Sequence, residues 1–306
     1  MLPYIWMLCG AFSFACMVAF ARGLQGICDW QIVALARALL ATIFAAAMVF
    51  AAGGRFVVWR PGTLWVRSIA GSMSMLCTFY AVPRLPIADV LTLANIFPVW
   101  VALLSWPVLK EKPSAGVWLA IACALGGVAL VQHQPFAPSD AETTIQQPYE
   151  NEARSATVVL LGGSFATAVA MIGLHRLNQF DARAIVAHFS AVATLFCGAA
   201  LFLFPTTHTA ARPFDSYVWL MLMGVGLAAT IGQILLTKAF TTGNAAKVSV
   251  VALSQIGFAM LFDVVFWDRR FTPLGLLGMA LVIVPTAWLL WGETRNGTID
   301  TEIEVV

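Results

Sequence analysis

The chain has 306 residues, of which 60% are hydrophobic and only 10% are charged, and its formal net charge is +2. Soluble domains are about 25% charged, so this depletion indicates a chain whose main solvent is lipid. The small net charge gives no basis for nucleic-acid binding. The composition therefore predicts a multi-pass integral membrane protein.

Ten apolar segments meet the length of about 20 residues that a helix needs to cross a bilayer. In chain order they are 4–22, 31–52, 64–83, 87–109, 114–133, 156–175, 183–204, 216–238, 247–267 and 273–292. Short polar turns separate them, except for the long acidic and proline-containing break at 134–153. We predict an all-α fold with ten transmembrane helices, divided at this break into two halves of five.

The basic residues predict the orientation, because they concentrate on the cytoplasmic side of membrane proteins. With the N-terminus inside, ten of them fall at inner helix ends, Arg67 among these, and six fall at outer ends. Both termini are therefore predicted to be cytoplasmic, in the inner or plasma membrane of the cell. The predicted units are a first repeat 1–133, an extracytoplasmic linker 134–153, a second repeat 154–292 and a cytoplasmic tail 293–306.

The two halves are related in sequence. An offset of 158 residues places Asp89 on Lys247 and Tyr80 on Lys238. Each half then ends its third segment with a polar residue beside Ala and enters a long fourth segment closed by charges. A duplicated unit with an odd number of crossings inserts its second copy upside down. This predicts inverted repeats, with a substrate site near mid-membrane where the halves meet.

Several short motifs recur in a fixed order along the chain. They are Tyr80-Ala81, Leu85-Pro86-Ile87-Ala88-Asp89, Pro98, Lys110-Glu111-Lys112, Gly126-Gly127-Val128, the stretch 233–239 and Ala245-Ala246. In order and spacing they resemble the drug/metabolite transporter superfamily, in particular its EamA-type members and the related solute carrier 35-like branch. The resemblance covers residues 4–292. The second half departs from it, with Asp268-Arg269 where a glutamate is usual and no proline opposite Pro98.

The resemblance implies a secondary transporter that moves a small polar organic metabolite by alternating access. It does not imply which solute is moved, because family members move amino acids, sugars, nucleotide-linked metabolites or carboxylates. Our hypothesis for the solute is an amino acid or a carboxylate, and the family favours export slightly over import. The solute and membrane lipid are the expected partners, and a homodimer is left open.

The fourth segment carries polar groups inside an apolar run. Pro98 lacks a backbone donor and its ring displaces the carbonyl of Ala94, which predicts a kink in mid-helix. Asp89 and Asn95 fall within one arc of the helix surface. Interrupted backbone is tolerated in lipid only where it faces protein or water. This face therefore either lines a path for the solute or is sealed by a neighbouring helix. Gly257 is expected to loosen the ninth segment in the same way.

The candidate substrate contacts are polar or aromatic residues inside predicted membrane helices. They are Tyr80, Asn95, Pro98, Trp100, Gln233, Lys238, Lys247, Gln255, Arg37 and Ser72. Small polar groups often join helices rather than bind a solute, whereas intramembrane charges are functional by default. For Lys238 and Lys247 the alternative is anchoring at the inner mouth. For Arg37 it is snorkelling to the interface.

The energy source is predicted to be a coupled proton or an exchanged counter-substrate. Asp89 and Asp263 are the candidate coupling carboxylates. No GxxxxGK[ST] loop occurs in the sequence, which argues against ATP. The four histidines lack ligand spacing, so no metal and no cofactor are expected.

Two other functions remain open. A membrane-embedded enzyme would need a converging nucleophile and base, for which Ser164 and His188 are the only suggestion, and we predict that the chain is not an enzyme. A non-transporting scaffold or receptor could keep the same fold.

Overall fold

The computed structural model describes most of the chain. The described residues are 1–24, 27–54, 56–57, 59, 61–81, 93–132, 150–203, 215–267, 273–278, 280–281, 283–285 and 288. All regular secondary structure within these ranges is helical. Asp89, most of the predicted linker 134–153 and the tail 293–306 lie outside the described residues.

The helices follow the predicted segments closely. In the first half they are α1 (Leu2–Gly23), α2 (Trp30–Ala51), α3 (Gly62–Ala81), α4 (Phe97–Leu104, continued by a π-helical turn Ser105–Leu109) and α5 (Ala115–Gln132). In the second half they are α6 (Glu150–His175), α7 (Ala182–Leu203), α8 (Ser216–Thr242), α9 (Ala245–Ala252) and α10 (Ser254–Trp267). Further helical residues between 273 and 285 form α11.

Six helical stretches are long and apolar enough to cross a membrane. They are Leu2–Gly23, Gln31–Ala51, Arg154–His175, Ala182–Leu203, Ser216–Thr242 and Ala245–Phe266. The apolar helices Phe97–Leu109, Ala115–Gly127 and Pro273–Pro285 are shorter, and α3 is more polar because it contains Arg67 and several serines. A multi-pass membrane protein is therefore confirmed, whereas the count of ten crossings stays a prediction.

The fourth segment is interrupted rather than kinked. Residues 93–94 are helical, Asn95 and Ile96 form a turn, and α4 begins only at Phe97. Pro98 thus lies in the first turn of a new helix, where its missing N–H removes no helical hydrogen bond. The prediction of a mid-helix kink at Pro98 is wrong, because the chain resolves the conflict by starting a fresh helix.

The ninth segment is also interrupted, at a different residue from the one predicted. α9 ends at Ala252, Leu253 forms a turn, and α10 begins at Ser254. Gly257 lies inside α10, where an added Cβ would make an ordinary contact with Ile283 at 3.6 Å. With the offset of 158 residues, Leu253 is the counterpart of Asn95. Both interruptions therefore fall at equivalent positions.

Three antiparallel helix pairs join the first half to the second. α1 packs along α8, α2 along α7 and α3 along α6. Each pair has a polar link of the kind that helices form in lipid: Ser13 Oγ donates to the Ala228 carbonyl at 2.8 Å, Thr42 and Thr194 hydroxyls lie 3.2 Å apart, and Ser74 bonds to Thr167. The halves are interleaved rather than side by side.

The largest apolar cluster lies where α1, α4, α6, α8 and α9 converge. Its buried members include Met7, Phe14, Val101, Leu236 and Phe240. Trp100 packs against this cluster while remaining half-buried. The interrupted helix α4 is thereby held against helices of the second half.

The close approach of α2 to α8 depends on Gly226. A Cβ at this position would overlap Leu40 Cβ and lie 2.8 Å from Leu40 Cδ1. We expect Gly226→Ala to lower the free energy of unfolding by about 1–3 kcal/mol, the usual cost of overpacking, measured by thermal unfolding in detergent.

The matched control is Gly162→Ala on α6, where an added Cβ would meet nothing within 4 Å. This substitution is expected to leave stability unchanged or to raise it slightly, because Ala favours helix over Gly. Equal destabilisation by the two substitutions would contradict the packing assigned to Gly226.

Candidate functional site

Arg67 lies in the second turn of α3 and is only 1% exposed. The guanidinium packs between α3, α7 and α8: Nη2 donates to Gln233 Oε1 at 3.2 Å, and Cζ lies 3.9 Å from the ring centroid of Phe189. The sequence places Arg67 among the anchors at inner helix ends. The structure corrects this assignment, because the side chain is enclosed by protein.

Gly71 makes room for this arginine, and Gly173 faces the base of its side chain. A Cβ at Gly71, one turn along α3, would lie 2.6 Å from Arg67 Nη1 and 2.9 Å from Phe189 Cε2. Gly173 on α6 faces Arg67 Cβ, where an added Cβ would approach to 3.4 Å. The backbone on two helices is therefore bare where the guanidinium and its stem pass.

The arginine is held without being neutralised. Within the described residues its partners are the Gln233 amide and the Phe189 ring, both uncharged, and Nε and Nη1 have no hydrogen-bond partner. Burying a charge without a counter-charge is costly. Arg67 is therefore the most unusual electrostatic feature of the described interior.

Other buried polar groups lie close to it along α3 and α8. Ser68 Oγ lies 2.8 Å from His188 Nδ1, which links α3 to α7. The hydroxyls of Ser72 on α3 and Thr237 on α8 are buried and find no hydrogen-bond partner among the described residues. Thr230 Oγ1, in contrast, bonds to the Gly226 carbonyl one turn back on α8. Ser72 and Gln233 are therefore the two predicted substrate contacts that lie in this buried polar region.

Trp100 joins α4 to α6. Its Nε1 donates to Ser164 Oγ at 3.1 Å, and its ring meets Phe165 edge to face at a centroid distance of 5.7 Å. The Ser164 hydroxyl donates in turn to the Leu161 carbonyl at 2.8 Å. Ser164 therefore accepts a hydrogen bond between two helices and donates one within its own helix, whereas His188 is bonded to Ser68.

The remaining candidate residues lie at several helix interfaces. Tyr80 is half-buried in the last turn of α3, Asn95 is half-buried at the interruption before α4, Pro98 is buried in α4, and Lys247 and Gln255 are half-buried on α9 and α10. Lys238 Nζ lies 5.6 Å from the ring centroid of Trp6, and Arg37 Nη1 lies 3.7 Å from Met75 Sδ. Asp263 lies on α10, with its side chain outside the described part.

A polar cluster closes the end of the bundle at which α1 begins. We call Glu111, His175 and Asn244 the Glu111 cluster. Asn244 Nδ2 donates to Glu111 Oε2 at 2.7 Å, and His175 Nε2 lies 3.6 Å from Glu111 Oε1. His175 Nδ1 lies 3.2 Å from the Phe240 carbonyl. The cluster joins the loop after α4, the end of α6 and the turn between α8 and α9.

The Glu111 cluster also fixes where α9 begins. Asn244 Oδ1 accepts a hydrogen bond from the Lys247 backbone N–H at 3.0 Å, so the residue caps the helix while its amide nitrogen reaches Glu111. Next to it, Arg176 Nη2 donates to the Val108 carbonyl at 2.7 Å, across from α6 to the π-helical turn. One end of the bundle is therefore tied together by side chains from both halves.

Sequence reasoning missed the roles of Arg67, His175 and Asn244. The signal for Arg67 is its position: a charge in the second turn of a helix, followed by Ser68 and Ser72, lies on a polar face rather than at an anchor. No local pattern marks His175 or Asn244, because their partner Glu111 is distant in sequence. Among the described residues, no group of His, Cys, Asp or Glu is arranged to hold a metal ion.

Comparisons with known proteins agree with this architecture. The EamA-like transporter family matches residues 1–132 and 154–291. The pseudopaline exporter CntI of Pseudomonas aeruginosa is 27% identical over 292 residues, covering 94% of both chains. Solute carrier family 35 member G1 of Mus musculus is 25% identical, covering 73% of this chain and 60% of that protein. A solved crystal structure shares the fold, with a TM-score of 0.80 at 16% identity, covering 96% of this chain and 98% of that one.

The two functions of Asn244 can be separated by mutation. Asn244→Ala loses a helix cap, worth about 1 kcal/mol, and a hydrogen bond to a carboxylate, worth about 1.5–3 kcal/mol. Asp215→Ala is the matched control, because Asp215 caps α8 through the Val218 N–H and is exposed. We expect Asn244→Ala to lower the free energy of unfolding more than Asp215→Ala does, as measured by denaturant or thermal unfolding.

A double-mutant cycle isolates the contact itself. In a Glu111→Ala background, Asn244→Ala is expected to cost only the cap. The same cost in both backgrounds would show that Asn244 and Glu111 are not energetically coupled.

Proposed function

The chain belongs to the EamA-like transporter family, and from this premise we propose that it is a secondary transporter. It moves a small polar organic metabolite across the membrane by alternating access, with export favoured over import. The observation that carries this proposal is the Arg67–Gln233 contact, a buried polar link between α3 of one half and α8 of the other. A lipid-facing bundle has no use for such a group, whereas a solute pathway between the halves does.

The packing of the helices supports a pair of inverted repeats. α3 packs on α6 and α7, and α8 packs on α1 and α2. If α1 corresponds to α6, α2 to α7 and α3 to α8, then the contacts of α3 with α6 and α7 correspond to the contacts of α8 with α1 and α2. The interruptions at Asn95 and Leu253 obey the same correspondence. Ten crossings with both termini on the same side fit this symmetry, and the distribution of basic residues along the sequence favours the cytoplasmic side.

The Glu111 cluster supplies one barrier of an alternating-access cycle. Its hydrogen bonds hold α4, α6 and the α8–α9 turn together at the end where the chain begins. Opening this end requires Asn244 to leave Glu111, so the contact is the part of the barrier that breaks and re-forms. In the proposed orientation this is the cytoplasmic gate.

The interrupted helices supply the movement. A turn at Asn95-Ile96 and another at Leu253 let the helical pieces on either side tilt independently. Backbone groups freed at these turns need partners from protein, water or solute. α4 and α9 are in contact, so the two turns lie on neighbouring elements between the halves.

One of the relatives supports export as the direction of transport. The similar protein of Pseudomonas aeruginosa is named an exporter of pseudopaline. For this chain we propose an amino acid or another carboxylate-bearing metabolite as solute. Asp89 and Asp263 are the proposed proton-coupling residues, with solute exchange as the alternative mode of coupling.

The proposal is tested by flux into or out of proteoliposomes carrying the purified protein, screened with a metabolite library. The wild type is expected to move at least one compound. Gln233→Ala is expected to slow that flux by roughly 10- to 100-fold, because a buried hydrogen bond to a charged group is lost. Arg154→Gln, at an exposed position on α6, is the control and is expected to transport as the wild type does.

The rival functions predict different results. A scaffold or receptor gives no flux of any compound above empty liposomes. An enzyme would lose its activity in Ser164→Ala, whereas the transporter is expected to keep its flux in this variant. Unchanged flux in Gln233→Ala would contradict the placement of the pathway at the Arg67–Gln233 contact.

A further inference from the structure

Arg67 carries more hydrogen-bonding capacity than the described interior uses. A guanidinium has five N–H donors, yet within the described residues the hydrogen bond from Nη2 to Gln233 is its only one, and Nε and Nη1 have no partner. The side chain is 1% exposed, so bulk water does not satisfy these donors in this arrangement. Within the described residues, this buried cation therefore has unused donors and no anionic partner.

The neighbours of Arg67 hold its position without supplying that anion. Phe189 contacts the face of the guanidinium at 3.9 Å, which stabilises the cation while leaving its in-plane N–H groups free. Gln233 accepts one hydrogen bond with a neutral oxygen. Gly71 leaves the space in which Nη1 lies. A structural link between α3 and α8 would need no charge, because two neutral amides could make the same hydrogen bond.

We propose that Arg67 binds the carboxylate group of the transported solute. Within the proposed function, this inference names the residue that recognises the solute and the chemical group that it recognises. Guanidinium and carboxylate are complementary in charge and shape. A carboxylate carries one negative charge and is matched by one arginine, whereas a phosphate carries about −1.5 to −2 and calls for a second cation. Lys238, on the same helix as Gln233, is instead positioned against Trp6.

The polar groups next to the Arg67–Gln233 contact fit the remainder of such a solute. Ser72 lies about one turn from Arg67 on α3, and Thr237 lies one turn from Gln233 on α8. Both hydroxyls are buried, and neither has a hydrogen-bond partner in the described part of the chain. Because α3 and α8 run in opposite directions, as the pairing of Gly173 with Arg67 and of His175 with Phe240 shows, the two hydroxyls lie on opposite sides of the contact. They can bond to hydroxyl or amino groups of the bound solute.

A neutral partner for Arg67 at position 233 is consistent with binding of a solute carboxylate by the same guanidinium. A carboxylate at position 233 would pair with the arginine permanently and exclude the solute. A neutral amide holds the guanidinium in place and gives way when a carboxylate arrives. Movement of α3 against α8 then breaks one hydrogen bond rather than an ion pair.

Gln233→Glu is the variant that tests this inference most sharply. It places a carboxylate where Gln233 Oε1 now lies 3.2 Å from the arginine. We expect the purified variant without solute to have a higher Tm than the wild type, because the buried charge gains a partner. We also expect binding of carboxylates to weaken by roughly 10- to 100-fold. A purely structural role for Arg67 predicts the higher Tm with no change in binding.

The probes are lactate, succinate and glutamate, each beside its fully amidated analogue, and binding is read from the ligand-dependent rise of Tm. Wild-type protein is expected to be stabilised by at least one carboxylate and less by its amide. Arg67→Gln is expected to abolish the difference, Arg67→Lys to restore part of it, and Arg154→Gln to retain it. Since Arg67→Gln could fail to fold, the folded Gln233→Glu variant provides the same comparison.

Three results would overturn the inference: no carboxylate stabilises the wild type, the amides stabilise it equally, or Gln233→Glu binds the carboxylates as the wild type does. These results are separate from failure of the proposed function. A protein that moves a neutral metabolite through liposomes, yet binds none of the carboxylates, is a transporter without the carboxylate site. A protein that binds carboxylates through Arg67 but gives no flux is not a transporter.

Discussion

Hydrocarbon offers no hydrogen-bond partners, so every polar group in a membrane helix must be satisfied by protein, trapped water or a ligand. The described interior obeys this constraint almost everywhere by local means. Serine and threonine hydroxyls bond to carbonyls one turn back or across to a neighbouring helix, as Ser13, Thr42 and Thr230 do. The exceptions in the described part of the chain include the buried hydroxyls of Ser72 and Thr237 as well as Arg67. Arg67 differs from these because it is charged, and two of its nitrogens find no hydrogen-bond partner there. Side chains of α7 and α8 contact the guanidinium of Arg67 on α3 and fix its position.

The polar contacts at the end of the bundle where α1 begins differ from those around Arg67. At the end where α1 begins, Glu111 meets Asn244 and His175, so a carboxylate there is bonded by side chains from the other half. Around Arg67, in contrast, the cation is contacted by an amide and an aromatic ring of the described chain. A strong polar contact at the end and an incomplete one around Arg67 fit the proposed transport cycle. In that cycle the end closes, and the region around Arg67 has unused affinity to offer a solute.

The sequence predicts the helices well because long apolar segments leave a chain in lipid no other choice. The sequence-based prediction fails where one residue is compatible with two different local structures. Pro98 is compatible with either a kinked helix or a new helix, and the choice depends on contacts of α4 with α6 and α9 that no local pattern contains. Gly257 and Leu253 are separated by one turn, and the interruption falls at Leu253, whereas Gly257 lies within α10 facing Ile283. Gln233 could be recognised from its polar face, whereas its partner Arg67 was hidden by the general preference of arginine for helix ends.

The central claim is that the region around Arg67 and Ser72 opens in turn to each side of the membrane. The direct measurement uses Ser72→Cys in a background without the six native cysteines, labelled in sealed vesicles by a membrane-impermeant thiol reagent added to one side at a time. Ser72 is fully buried, so labelling reports opening. Alternating access predicts labelling from both sides. Labelling from one side only, or from neither, would contradict it.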